Sequence, residues 1–167
     1  EFRRVLFRSL AALAEANKID AEIKSRALCF LSLLQKSLKE TRSPLIPTKS
    51  PITSRFIPPP YDGGFFSSPN ISYANKGRIA KDPVTGRPYY RSYATPTCDG
   101  ILALLALGVP KTDDRVLDAI GWLKRHSGWH LPQGIPSEHF EPWDESMIYY
   151  HCATRSEVFN KLAIAGD

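Results

Sequence analysis

The stretch from Ser92 to Arg125, SYATPTCDGILALLALGVPKTDDRVLDAIGWLKR, constrains what the rest of the chain can do, because it reads as two helices joined by a tight turn. Thr95 is placed to cap the first helix with Pro96 in its opening position, and Gly108 followed by Pro110 ends it. Thr112 is placed to cap the second. Asp113 and Asp114 fall in its first turn and Lys124, Arg125 and His126 in its last, so charge opposes the helix dipole at both ends. Ile101, Leu102, Leu104, Leu105 and Leu107 surround the first helix, which predicts that it is covered on most sides. On the second, Val116, Ala119, Ile120 and Leu123 form one stripe while Arg115, Asp118 and Lys124 point elsewhere, which predicts a half-exposed helix. The pattern is an inner helix paired with an outer one.

A shift of 92 positions finds the same unit earlier in the chain, setting Leu10, Ala11, Leu13, Ala14, Ala27 and Leu31 over Leu102, Ala103, Leu105, Ala106, Ala119 and Leu123. Phe30 then falls on Trp122, and the turn at 17–20 on the turn at 109–112. Repeated helical hairpins bury their apolar faces against one another, so a single copy is rarely stable alone.

Four short motifs follow in order: Phe30 to Gln35, Asp62 to Phe66, Ser92-Tyr93, and Asp99 to Leu105. In that order they resemble the terpenoid cyclase and protein prenyltransferase superfamily, in particular its squalene-hopene-cyclase-like repeat proteins. Ala94 stands where that pattern has Gly, and a Pro-rich insertion separates Gln35 from Asp62. The resemblance implies an all-α fold, an incomplete alpha-alpha toroid of helical hairpins with a long Pro-rich loop at 41–91, built from residues 10–167. It also implies that Gln35, with Phe65 or Phe66, ties successive helix pairs together.

Residues 1–9, EFRRVLFRS, read as the translation of a sequencing adapter and are set aside. Both ends then read as cut. An unclosed ring would leave inner helices uncovered, which predicts self-association and low solubility. Arg3, Arg4 and Arg8 against Glu1 account for two units of the net charge of +5, and what remains argues against a nucleic-acid partner. The longest apolar run, Ile101 to Val109, is too short to cross a bilayer, so no transmembrane segment is expected. Cys29, Cys98 and Cys152 are odd in number and each sits in a helical pattern. They read as thiols in a reducing, cytoplasm-like setting rather than as a disulfide framework.

From Thr41 to Arg91 helical periodicity disappears, and Pro44, Pro47, Pro51 and Pro58 to Pro60 oppose regular structure in its first part. Arg55 to Ile57 suit a short extended piece. Within the loop, Gly63 and Gly64 are expected to supply positive φ for a sharp turn while Tyr61, Phe65 and Phe66 anchor it on the helices. The basic residues scattered over 41–91 suit either a diphosphate or, more simply, solvent. After the central hairpin, Ser127 to Trp143 reads as irregular, and His130 and His139 nine apart make a poor metal pair. A last helix is expected from Asp144, with Met147, Tyr150, His151, Thr154 and Val158 on one face and Ile148, Cys152 and Phe159 on another.

The chemistry implied by the resemblance supplies two tests. Cyclases of this kind protonate an alkene with an Asp-x-Asp-Asp acid, and the nearest string here, Lys111-Thr112-Asp113-Asp114, lacks the leading Asp and sits where a helix needs a cap. The prenyltransferases hold zinc with Asp, Cys and His. Tyr150-His151 resembles the His stretch, but the Asp-x-Cys partner is absent. No catalytic residue, metal ligand or cofactor is therefore assigned. The candidate cavity-lining residues are Tyr93, Asp99, Tyr150 and His151. Two readings stand: a piece of a toroid protein acting on or binding an isoprenoid, or a non-catalytic toroid that binds a lipid, a peptide or a protein partner.

Overall fold

Asp20 opens the first helix, where its carboxylate accepts from the Ile23 N–H at 2.7 Å and so satisfies one of the donors that a helix start leaves bare. In the computed structural model this helix, α1, runs Ala21–Leu34. The residues described are 19–36, 62–68, 73–76, 80–81, 88–128, 132–135 and 142–163. The expected first helix near Leu10, the Pro-rich run, the Arg55 to Ile57 piece and the histidines at 130 and 139 lie outside them.

The other helices are α2 (Ala94–Ala106), α3 (Asp114–Arg125), a single turn α4 (Trp143–Ser146) and α5 (Ile148–Leu162). The loop expected to be irregular contains a 3₁₀ turn at Tyr73–Asn75 and a minimal antiparallel ladder, with Ala80 opposite Tyr89 and Lys81 opposite Pro88. All the packing elements among the described residues are helices, and in that sense the chain is all-α.

Helix α2 is the centre. Residues 94–101, Ala103 and Leu104 are buried, and α1, α3 and α5 all pack on it. Its start differs from the expectation. The N-cap is Tyr93, not Thr95; the Ala94 N–H is satisfied by the Gln133 carbonyl at 2.8 Å, and the Thr95 hydroxyl is buried without a hydrogen-bond partner. Pro96 still sits in the first turn, where no intrahelical donor is needed. Helix α3 is amphipathic as expected: Val116, Ala119 and Leu123 of the predicted stripe are buried, but Ile120 is only half-buried and Trp122, outside that stripe, is buried instead. Asp113 rather than Thr112 caps it, because its carboxylate accepts from the Arg115 N–H at 3.0 Å and is also gripped by the Arg115 guanidinium at 2.9 Å. The final helix is broken at Met147, so the segment expected to start at Asp144 is the turn α4 followed by α5.

The Asp62–Phe66 turn anchors this assembly. Phe66 N–H donates to the Leu34 carbonyl and Lys36 N–H to the Gly64 carbonyl, so the chain leaving α1 pairs with the turn through a Gln35–Phe65 bridge. On its other edge Tyr93 N–H reaches the Phe65 carbonyl, and Phe65 N–H reaches the Thr97 hydroxyl at 3.0 Å. Only Gly63, at φ +83°, has the positive φ expected of both glycines. Gly64 is required by space instead, since a Cβ there would lie 2.7 Å from the Trp122 ring. Gly100 answers the same need, facing the Phe65 ring from inside α2, which offsets the usual helix penalty of about 1 kcal/mol for glycine.

Candidate functional site

Asp99 lies on α2, Tyr150 and His151 on α5 and Tyr93 at the N-cap of α2, and the seam between these two helices holds several buried polar side chains. Asp99 sits one turn into α2, almost buried, and Tyr150 sits near the start of α5. The Tyr150 hydroxyl donates to Asp99 Oδ1 at 2.6 Å, a charge-assisted bond between residues far apart in the chain. Two of the four are thereby brought together. His151 follows Tyr150 but turns inward. It is fully buried, its Nε2 lies 3.4 Å from the Gly128 carbonyl, and its Nδ1 has no hydrogen-bond partner. Burial lowers its pKa below the usual imidazole value, and the nearby Arg155 acts in the same direction against the Gly128 contact, so the ring is neutral at pH 7. Tyr93 is directed elsewhere: its hydroxyl donates to the Ala74 carbonyl at 3.1 Å and meets the Ser67 hydroxyl, pinning the loop onto the start of α2.

Two further residues belong to the seam. Cys98, beside Asp99, is fully buried, and desolvation reinforced by the Asp99 charge pushes its thiol up to about 12. A thiol held protonated in this way is not a nucleophile at neutral pH. Arg155 was not expected on a buried face, because an arginine in a helical pattern ordinarily reads as solvated. Its guanidinium donates to the carbonyls of His126 at 3.0 Å, Gly128 at 3.3 Å and Leu123 at 3.2 Å, supplying donors for the carbonyl end of α3. The signal that points to it is positional: Arg155 stands four residues after His151 and next to Thr154, on the face predicted to be buried.

Chemically the seam holds one acceptor carboxylate with its phenol donor, a neutral imidazole and a protonated thiol. No group of three or more His, Cys, Asp or Glu close enough to hold a metal ion occurs among the described residues. The Asp113 carboxylate, in the string nearest to a cyclase acid, is held below the usual carboxylate range by the Arg115 guanidinium and serves as a helix cap. No helix is long and apolar enough to cross a membrane among the described residues.

A second constellation ties α1 to α3. The Gln35 side-chain amide donates to the carbonyls of Gly63 at 3.2 Å and Arg115 at 2.6 Å, joining the end of α1, the glycine turn and the start of α3. Asp62 closes the turn by accepting from the Gly64 N–H at 3.0 Å and the Ser92 hydroxyl at 2.8 Å, with the buried Lys36 ammonium 3.7 Å away. Neither a protein-family model, nor a curated protein, nor a solved structure matches the chain.

Proposed function

We propose that the chain is a piece of a squalene-hopene-cyclase-like helical toroid that binds an isoprenoid or a similar apolar ligand and does not itself transform it. The Gln35 clamp supports the repeat architecture, since it joins the end of α1 to the start of α3 at the place where the resemblance puts a tie between helix pairs. The observation that carries the choice of binding over chemistry is the Tyr150–Asp99 bond. An alkene-protonating acid has to present its carboxyl to the ligand, whereas here Asp99 Oδ1 is taken up by the Tyr150 hydroxyl at 2.6 Å. His151 and Cys98 point the same way, one neutral and turned to a backbone carbonyl, the other protonated.

The test is to titrate the protein with farnesyl diphosphate and with squalene, reading binding by calorimetry and products by mass spectrometry. Saturable binding with unchanged ligand supports the reading. Turnover of either compound overturns the non-catalytic part, and failure of both to bind overturns the isoprenoid part.

A further inference from the structure

The surroundings of the fully buried His151 suit an imidazole and not an imidazolium. Its Nε2 lies 3.4 Å from the Gly128 carbonyl, which also accepts from Arg155 Nη1 at 3.3 Å, so ring and guanidinium converge on one oxygen. The neutral tautomer with its proton on Nε2 fits this arrangement, because the donor then meets a carbonyl. Nδ1 is left with a lone pair and has no hydrogen-bond partner among the described residues. A second proton has to go there. It creates a buried N–H without an acceptor, and it sets a cation one helical turn from the buried Arg155 guanidinium. Both costs vanish when the helix leaves its seat and the ring is hydrated.

The neighbouring groups do not offset that charge. From α2 the seam receives Cys98, a protonated thiol, and Asp99, the one buried acid among the described residues, whose Oδ1 is taken up by the Tyr150 hydroxyl. From the end of α3 comes His126, stacked on Trp122 with its Nδ1 at the Trp122 carbonyl. The turn α4 carries Asp144, half-buried, and Glu145, exposed; on α5 itself Cys152 is half-buried, and Glu157 and Lys161 are exposed. The charge that acts on the ring is that of Arg155, and it opposes protonation.

We propose that His151 is an acid-operated latch: a proton taken up at Nδ1 releases α5 from α2 and from the carbonyl end of α3. Helix α1 is tied to the glycine turn and to α3 by Gln35, at a distance from the latch in the contact network, and keeps its seat. Burial holds the His151 pKa below the ordinary 6.5, so in the window between the two values the released helix binds more protons than the docked one. Docking is therefore at full strength above that window and weakens as the pH falls through it. The opening constant of α5 is expected to rise by up to about 25-fold between pH 7 and pH 5, the most that one released histidine of ordinary pKa supplies. The latch rests on the α2–α5 seam and not on any ligand, so the isoprenoid titration and the experiment below fail independently.

The experiment is amide hydrogen exchange on the full chain at pH 7 and pH 5, read by mass spectrometry, with each rate divided by the intrinsic chemical rate at that pH. Amides of Ile148–Leu162 report the latch, and those of Ala21–Leu34 are the internal reference. The expected result is faster opening of α5 at pH 5 with α1 unchanged. His151→Gln keeps an amide donor for the Gly128 carbonyl and cannot titrate, so in that variant the acid response of α5 is expected to disappear. No gain in α5, an equal gain in α1, or the same gain in His151→Gln overturns the proposal. A titration of the His151 ring by nuclear magnetic resonance in the unsubstituted protein decides the matter without any variant. A midpoint below 6.5 is expected, and one at or above 6.5 overturns the latch.

Discussion

The side-chain amide of Gln35 stands 2.6 Å from the carbonyl oxygen of Arg115, a contact across a sequence separation of 80 that makes the start of α3 depend on the end of α1. The Arg115 residue that accepts it also grips the capping carboxylate of Asp113, so one side chain, one cap and one turn form a single unit. Removing any member leaves buried backbone groups without partners, the costly half of hydrogen-bond energetics.

Gln35→Ala removes the donor from the Gly63 and Arg115 carbonyls together. The expected loss of stability is about 2 kcal/mol. Urea unfolding followed by circular dichroism checks it, with the midpoint falling and the slope unchanged.

Gly64→Ala and Gly121→Ala are expected to act in opposite senses although both add one methyl. At Gly64 the new Cβ lies 2.6 Å from the Ser92 Cβ and 2.7 Å from the Trp122 ring, neither of which is a flexible end. Overpacking of this kind costs about 1–3 kcal/mol. At Gly121 the nearest atom is the far end of the long Arg125 side chain at 3.3 Å, which can give by a few tenths of an ångström, and alanine gains about 0.5–1 kcal/mol over glycine in a helix interior. Thermal unfolding of the two variants, measured side by side, reads the sign of each.

The fold was legible where helical periodicity is strong. The apolar stripe of α3 and the enclosure of α2 follow from spacing alone, because tertiary packing there reinforces what the local pattern already favours. Helix starts were legible only to within a residue or two. Thr112 and Asp113 are both competent caps, and the fork of Arg115 decides for Asp113; at α2 the decision lies with a distant Gln133 carbonyl. The sequence marks Tyr150 and Asp99 individually as candidates, yet their pairing depends on how α5 lies along α2, which no local signal encodes. Arg155 was hidden for the same reason: its partners are backbone carbonyls of another helix, and backbone carries no sequence signature.

Lys36 predicts how stability responds to alkali. Burial lowers its pKa from 10.5 to about 8, with the Asp62 carboxylate opposing the shift and Arg91 adding to it. Between these values the unfolded chain binds more protons than the folded one, so stability rises with pH across the window. The rise expected from this group is about 3 kcal/mol. Unfolding free energies at pH 7.5, 9 and 10.5 should show it, and Lys36→Met should flatten that increase.

The cysteines predict a labelling order. Cys29 is exposed, Cys152 half-buried, and Cys98 fully buried with its thiol pushed up to about 12. Burial therefore disfavours the Cys98 thiolate at pH 8 even before access is considered. Mass spectrometry of protein treated with iodoacetamide should find Cys29 modified first and Cys98 modified only as the protein unfolds.

Because the guanidinium of Arg155 fills the carbonyl end of α3 from a separate helix, the hairpin drawn from the repeat is not the unit that melts. Helix α3 is finished only when α5 arrives, so α2 and α3 alone would fray at their far end however well they pack at the near one. Helix α3 lends α2 a surface and borrows its terminus from α5, and the boundary of cooperativity therefore runs one helix beyond α2 and α3.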